Sequence, residues 1–490
     1  MSAPLLFAVF ASVAAAASPV VIDGRFEDWT TVPVAVDDPA DAPDAAVDFG
    51  TVRVTHDHRF VHLLVELGRT VNVQQLDGSI EILLDVDADT ATGRSVHDMP
   101  GVDVIVELSP RDPQSTPPAG RGAGIAIPVD DPPPGDRMRL SAHLIGFTYG
   151  PTYAADLFEF RLRRGAVLPG VKSFLGPGRF RARLVFIDRG DTVRDSTGTF
   201  SHELTPVAPA PAGQPADPLA RAPGTDLRVV TWNTGANGLR DRRALFGRLL
   251  HALAPDVILF QELTEADDPA ELAALLQQSI PAARRQRWSV IIGSGGGRLR
   301  CAIASRLTMK KYAPLDPLPL PDRPDRSVRV LGAEITQAGR RLLVVCAHLR
   351  CCGKAGSFED RTRLVEADAI RRAVERAMSS RRFDGVVVGG DLNLVGSRWP
   401  LEVLSESLMV VEALQIDGRS NATWADARRP FMPGRLDFML LSSPSPESRG
   451  AFVLATRDLG RRWLAHHGLG AGDTADASDH MPVVVDLAWE

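Results

Sequence analysis

Along residues 19–204 apolar and polar positions alternate over short runs: Val52-Arg53-Val54, Val61-His62-Leu63-Leu64-Val65, Ile80-Glu81-Ile82-Leu83-Leu84, Val102-Asp103-Val104-Ile105-Val106 and Arg181-Ala182-Arg183-Leu184-Val185-Phe186-Ile187. Gly, Pro and Asp clusters separate these runs, and no long helical period intrudes. A period of two sends side chains alternately to two faces, so the spacing predicts an antiparallel β-sandwich. Residues 205–224, rich in Pro and Ala, lack the apolar content for a core and read as an extended, semi-rigid linker.

From Leu227 the period changes, and the catalytic candidates all lie in this part, residues 225–490. Leu227–Trp232, Val257–Phe260, Ala302–Ala304, Val328–Ile335, Leu342–Ala347, Val386–Val388, Phe438–Leu441 and Val483–Val485 read as strands. Between them lie helical patterns at 240–253, with Leu245, Leu249 and Leu253 on one face, around Leu272–Leu276, and from Phe358 to Met378. Strands interleaved with helices predict a layered α/β domain.

Composition changes this picture little. With 490 residues, 44% hydrophobic and 24% charged, the chain is long enough for two or three ordinary globular domains. Residues 1–17 are small and apolar and end in an Ala-x-Ala pattern, as a secretory signal does, although no Lys or Arg precedes the apolar stretch. The expectation is a secreted or periplasmic protein without a membrane span. Net charge is divided unevenly. Residues 226–490 hold 36 Lys+Arg against 32 Asp+Glu, and the remainder holds 19 against 29. A mildly basic C-terminal part accepts an anionic substrate without the strong basic signature of a dedicated nucleic-acid binder.

The strands of this half carry polar groups at their ends. Trp232-Asn233 and Gln261-Glu262 close the first two, Ala347-His348-Leu349 a later one, and Gly389-Gly390-Asp391-Leu392-Asn393 the next. Arg435-Leu436-Asp437 opens another strand, and Ser478-Asp479-His480-Met481-Pro482 precedes the last. Taken singly, each has a structural reading: Asn233 as a cap, Glu262 as a helix start, His348 as a core histidine, Asp391 as a turn residue. Asp391 and Asn393, held two positions apart at a strand end, equally suit polarising a water, holding a divalent cation or gripping a phosphate oxygen.

Together and in this order, over about residues 226–490, these pieces resemble the endonuclease/exonuclease/phosphatase superfamily. The resemblance implies a four-layer α/β sandwich whose strand ends converge on one phosphodiester site. It also implies Mg²⁺ or Mn²⁺ held by Glu262 with Asn233 and Asp479. Asp391 would orient or deprotonate a water, Asn393 would fix the phosphate, His480 and His348 would donate to phosphate oxygens, and Asp437 would hold the His480 tautomer. Abasic-site endonucleases of the superfamily have Tyr where His348 stands, which points instead to the branch with secreted deoxyribonucleases, sphingomyelinases and inositol-phosphate phosphatases. The leading expectation is an exported phosphodiesterase acting on nucleic acid, an endonuclease first. A phospholipid or inositol-phosphate phosphoesterase and a non-catalytic sugar-binding or adhesion protein are the alternatives. No stable protein partner is implied.

In the N-terminal part, Val21-Ile22-Asp23-Gly24-Arg25-Phe26-Glu27-Asp28-Trp29 and the run from Asp85 to Gly93 resemble family-9-like carbohydrate-binding modules, which implies a carbohydrate ligand. Trp29, where exposed, would offer a ring for stacking a sugar, and a core position is the competing reading. Asp85, Asp87 and Asp89 alternate as in a calcium loop, but Thr90 and Val96 stand where an EF-hand needs Gly and Glu. A structural Ca²⁺ site and a solvated turn both fit. The cysteines are Cys301, Cys346, Cys351 and Cys352, with Cys301 and Cys346 expected buried and Cys351-Cys352 a loop pair. A zinc site at Cys346-x-His348-x-x-Cys351-Cys352 lacks a second ligand pair of finger spacing.

Overall fold

A computed structural model describes residues 20–110, 120–129, 137–206, 216–280 and 286–489. The apolar leader expected at 1–17 and the central part of the linker, 207–215, lie outside the described residues. No helix of the described residues is long and apolar enough to cross a membrane.

The first part is β-rich. One five-stranded sheet contains Thr51–His56, Phe60–Val71 and Ala155–Arg163, and a seven-stranded sheet contains Gly78–Asp85, Val104–Leu108, Ala123–Pro128 and Gly178–Asp188. Every pairing in both sheets is antiparallel. Alternate residues of the two sheets, among them Val52, Val54, Leu63 and Phe160 from one and Ile82, Leu84, Val106 and Leu184 from the other, share one apolar core. That packing is the reason for the two-residue period in the sequence.

Trp29 is fully buried, and its indole N–H donates to Glu159 at 3.1 Å. Glu159 also accepts from the backbone of Asp23 and Gly24. The Asp23-Gly24 to Trp29 motif therefore ties the start of the chain to a strand, and Trp29 offers no ring to a sugar.

The second part is two sheets face to face. The first runs Ser289–Ile292, Arg300–Ser305, Val257–Leu263, Leu227–Asn233, Val483–Ala488, Glu447–Val453 and Leu414–Gln415 in spatial order. The second runs Thr308–Lys311, Val330–Gln337, Arg340–His348, Gly385–Asp391, Asp437–Leu441 and Met409–Val410. Between them Val229, Leu259, Ile303, Val344, Val387, Met439 and Val485 interdigitate. Outside the first sheet, Val230, Trp232, Ile258 and Phe260 meet helix Arg243–Leu253 and helix Pro269–Ser279. Outside the second, Val345, Ala347, Val386 and Val388 meet helix Phe358–Ser379 through Ala367, Ile370, Ala373 and Val374. Strands buried on both faces read as continuous apolar runs, which is why Val386-Val387-Val388 stands out in the sequence.

The linker expectation needs correction at its end. Leu219 is buried in the core of the second part, and the carbonyls of Leu219 and Ala220 accept from the Arg228 guanidinium. That guanidinium is buried and grips Asp486 with two bonds, of 2.7 and 2.8 Å. A buried arginine needs its donors satisfied, and these carbonyls do so, fixing the chain from Leu219 onward rather than leaving it extended.

The two parts are in contact. Arg419 pairs with Asp57, and the backbone of Ile22 donates to Arg419 O at 3.0 Å. Met432, from the second part, is buried in the core of the first.

Candidate active site

Strand register brings the candidates together. His348 lies opposite Asp391 on the neighbouring parallel strand, and Asp391 lies opposite Asp437 on the next, antiparallel one. Three polar residues thus form one row across the second sheet, at the shared end of its strands. Gly390 makes the row possible. Its φ is +152°, and a Cβ there would come within 1.8 Å of Ala347 O.

The first sheet supplies the facing residues. Asn233 is opposite Gln261 on parallel strands. Glu262 follows, in a break of register between Phe260 and Leu263 and with φ of +64°. A bulge at a strand end re-aims a side chain. This one turns Glu262 into the cleft, while Gln261 turns inward to Thr231, Leu259 and Cys346.

Asn233 joins the two sheets. Its amide N–H₂ donates to Asp391 Oδ2 at 3.0 Å and to Glu262 Oε1 at 3.3 Å, and its Oδ1 accepts from Gly235 N. Asn393, at φ +51°, donates to Leu349 O and to Asp391 Oδ2, both at 3.1 Å. His480 Nδ1 lies 2.8 Å from Asp437 Oδ2, which also accepts from the Thr423 hydroxyl at 2.7 Å. His480 Nε2 lies 3.8 Å from Asp391 Oδ2, and His348 Nε2 lies 3.5 Å from the same oxygen. His348 Nε2 is also 3.9 Å from Glu262 Oε1.

Burial sets the charges. For His480, desolvation favours the neutral ring, but the carboxylates of Asp437 and Asp391 outweigh it and push the pKa up to about 10. His480 is therefore a cation at neutral pH. Burial raises Asp391 to about 7, against the attraction of His480. Burial, with Arg329 and His480 nearby, holds His348 well below the usual histidine range. A neutral His348 can donate from one nitrogen, and Nε2 is the one that faces the carboxylates. The site thus holds a permanent donor, a carboxylate able to change protonation near neutrality, and a neutral imidazole.

The donor chemistry fits a hard divalent cation. Glu262 keeps about a quarter of its side chain exposed to the cleft, and Mg²⁺ takes one or two carboxylates and several waters. Asn233 offers Glu262 its N–H₂ face, so in this arrangement it orients Glu262 rather than adding an oxygen ligand. Asp479 stands at the rim, half-buried, where its carboxylate accepts from Trp424 Nε1 at 3.0 Å. Asp391, Asp437 and His480 also place ligand atoms within 4.8 Å of one another. The His480–Asp437 hydrogen bond and the His480 charge make that group a histidine donor held by two carboxylates instead.

Seven of the eight expected catalytic and metal residues thus converge: Asn233, Glu262, His348, Asp391, Asn393, Asp437 and His480. Residues outside that set take other places. Thr423, which no local pattern marks, anchors Asp437 through two bonds, to its carboxylate and from its backbone N–H at 2.9 Å, and also accepts from Leu436 N at 2.9 Å. Trp424 lines the cleft, whereas Trp399 is 61% exposed on a helix away from it. In the N-terminal part, Asp89 is occupied in its own turn by the backbone of Ala91, and Asp103 replaces it beside Asp85 and Asp87. The zinc reading fails because Cys346 Sγ points between the sheets, to Gln261 and to Phe260 O.

The cleft over this site has a volume of about 550 Å³. A larger hollow, of about 770 Å³ over Arg243, His251 and Glu271, holds no comparable convergence of polar groups. On the floor of the cleft lie Glu262, Asp391, Asn393 and His480. Its sides include Trp424, Phe431, Cys351 and Cys352, and also Asn72, Gln74, Gln75, Arg121, Tyr149 and Thr152 from the N-terminal β-region.

Residues 230–480 match the model of the Endonuclease/Exonuclease/phosphatase family. No curated protein matches the chain by sequence. Among solved structures, the 3'-5' exonuclease NExo from Neisseria meningitidis is 21% identical over 54% of this chain and 100% of its own, with a TM-score of 0.38. An AP endonuclease from Archaeoglobus fulgidus is 16% identical over 53% of this chain and 99% of its own, at 0.37. The human Nocturnin catalytic domain is 18% identical over 54% and 94%, at 0.36.

Proposed function

From the premise that this chain belongs to the endonuclease/exonuclease/phosphatase family, whose members are metal-dependent phosphodiesterases, nucleases and phosphatases, we propose that it is a divalent-metal-dependent phosphodiesterase acting on nucleic acid or its fragments. The observation that carries the reading is the triad at Asp391. One carboxylate near its own pKa at neutrality faces a cationic histidine at 3.8 Å and an amide at 3.0 Å. Such a carboxylate can take a proton from an attacking water, and such a histidine can donate to a phosphoryl oxygen or a leaving oxygen. Glu262 would hold the cation, which when bound supplies charge neutralisation at the phosphate. Asn393 and neutral His348 orient groups around Asp391, and Asp437 with Thr423 holds the ring of His480. A sugar-binding protein without catalysis needs none of this buried charge.

The test is hydrolysis of bis(4-nitrophenyl) phosphate by the full chain. Turnover is expected with Mg²⁺ or Mn²⁺, absent in EDTA and restored on adding metal back. Turnover that survives chelation overturns the reading. Two further expectations belong to the same proposal. A structural Ca²⁺ would sit at Asp85, Asp87 and Asp103, where added Ca²⁺ should raise the melting temperature of the wild type but not of Asp87→Ala. Export would rest on the leader at 1–17 and is checked by finding the processed protein outside the cytoplasm.

A further inference from the structure

The N-terminal β-region does not stand apart from the catalytic half. Asn72 Nδ2 donates to the carbonyls of Val395 and Gly396, at 3.0 and 3.2 Å, just beyond Asn393. Its Oδ1 accepts from Ala355 N at 2.8 Å, just beyond the Cys351-Cys352 pair. On the other side of the cleft, Gln74 Oε1 accepts from Met432 N at 2.7 Å, and Ala123 N donates to Pro430 O at 2.8 Å. Thr152 Oγ1 accepts from Arg435 N at 2.8 Å, two residues before Asp437. The β-region therefore bridges the loop after Cys352 and the loop before Asp437, and its residues form part of the lining of the cleft between them.

Two side chains of this bridge are unspent. Gln75 and Arg121 line the cleft, and neither side chain has a partner among the described residues. Facing the same space are Phe431, half-buried, and Trp424, whose ring is held by Asp479. An amide, a cation and two aromatic faces around 550 Å³ are the means of holding one flat, polar group next to a phosphate. A duplex continuing in both directions from the scissile phosphate would meet the β-region residues that line the cleft.

We propose that the N-terminal β-region is the specificity half of this active site: Gln75 and Arg121, with Phe431 and Trp424, hold a nucleoside-sized phosphoester at a free end, and the bridge excludes the interior of a continuous duplex. This rests on the phosphodiesterase reading and moves it from an endonuclease toward the release of terminal or small phosphoesters.

The test compares two substrates with the metal-loaded full chain: the 4-nitrophenyl ester of thymidine 5'-phosphate and supercoiled plasmid. The ester is expected to turn over while the plasmid stays intact at the same enzyme concentration. In Arg121→Ala and Gln75→Ala, KM for the ester should rise about fivefold or more, with kcat falling less than KM rises, as loss of a substrate contact predicts. Plasmid nicking at a rate comparable to ester hydrolysis, or an unchanged KM in both variants, overturns the proposal. Binding of thymidine 5'-monophosphate, followed by calorimetry, separates this from failure of the catalytic reading. If the wild type hydrolyses neither the ester nor the plasmid, the catalytic reading fails, and weaker nucleotide binding in both variants still supports the wall. Equal binding by wild type and variants overturns it.

Discussion

The floor and the wall of this cleft are built by opposite means. The floor is buried charge delivered by strand ends, where register places His348, Asp391 and Asp437 in one row and hydrogen bonds from Asn233, Asn393 and Thr423 hold the carboxylates. The wall is built largely of loop residues from the N-terminal part, held to the catalytic half mostly through backbone groups. Chemistry that needs fixed distances sits on the element that cannot shift, and selection of a partner sits where side chains can change without disturbing it.

The strongest way to break this division is through the floor. His480→Ala and Asp391→Asn should each lower kcat by about 10²–10⁴-fold while leaving the circular dichroism of the folded chain close to wild type. A variant with near wild-type turnover would remove that residue from the site. Asp437→Asn, which acts through His480, should cost about 10–100-fold. It also has a pH signature. The wild-type profile should rise as Asp391 ionises near pH 7 and fall as His480 loses its proton near pH 10. Removing the Asp437 carboxylate removes the largest attraction holding that proton, so the alkaline limb should move down toward neutrality, and the same change removes a like charge that pushes Asp391 up. An unmoved alkaline limb would show that His480 is not the group titrating there.

The seam between floor and wall offers a smaller effect of a different kind. Met432→Ala empties a site in the core of the N-terminal region and should cost about 2–5 kcal/mol of stability, read by urea unfolding. If the two parts instead melt separately, with the catalytic half unaffected, the bridge contributes nothing to the site.

Much of the floor was legible in the sequence, because a four-layer sandwich buries its strands on both faces and leaves each polar strand end conspicuous. Asp391 after Val386-Val387-Val388 is the clearest case. Glu262 was legible as a residue but not as a geometry, since the bulge that turns it depends on pairing with Arg300–Ser305. Asp103 was missed beside Asp85 because a strand pairing, not local spacing, brings it there. The wall was hidden for a related reason. Asn72, Gln74 and Ala123 meet backbone groups more than 300 residues away, and a backbone carbonyl leaves no mark on composition or periodicity.

That same backbone seam bears on how the protein could change over evolutionary time. The N–H of residue 432 and the carbonyls of residues 395, 396 and 430 exist for nearly any residue placed there. Side chains at 428, 429 and 431, together with Gln75 and Arg121, can therefore drift while the clamp persists, with Met432 kept as the apolar anchor. A lineage of this chain could acquire new substrates by altering that rim alone, with the catalytic row untouched beneath it.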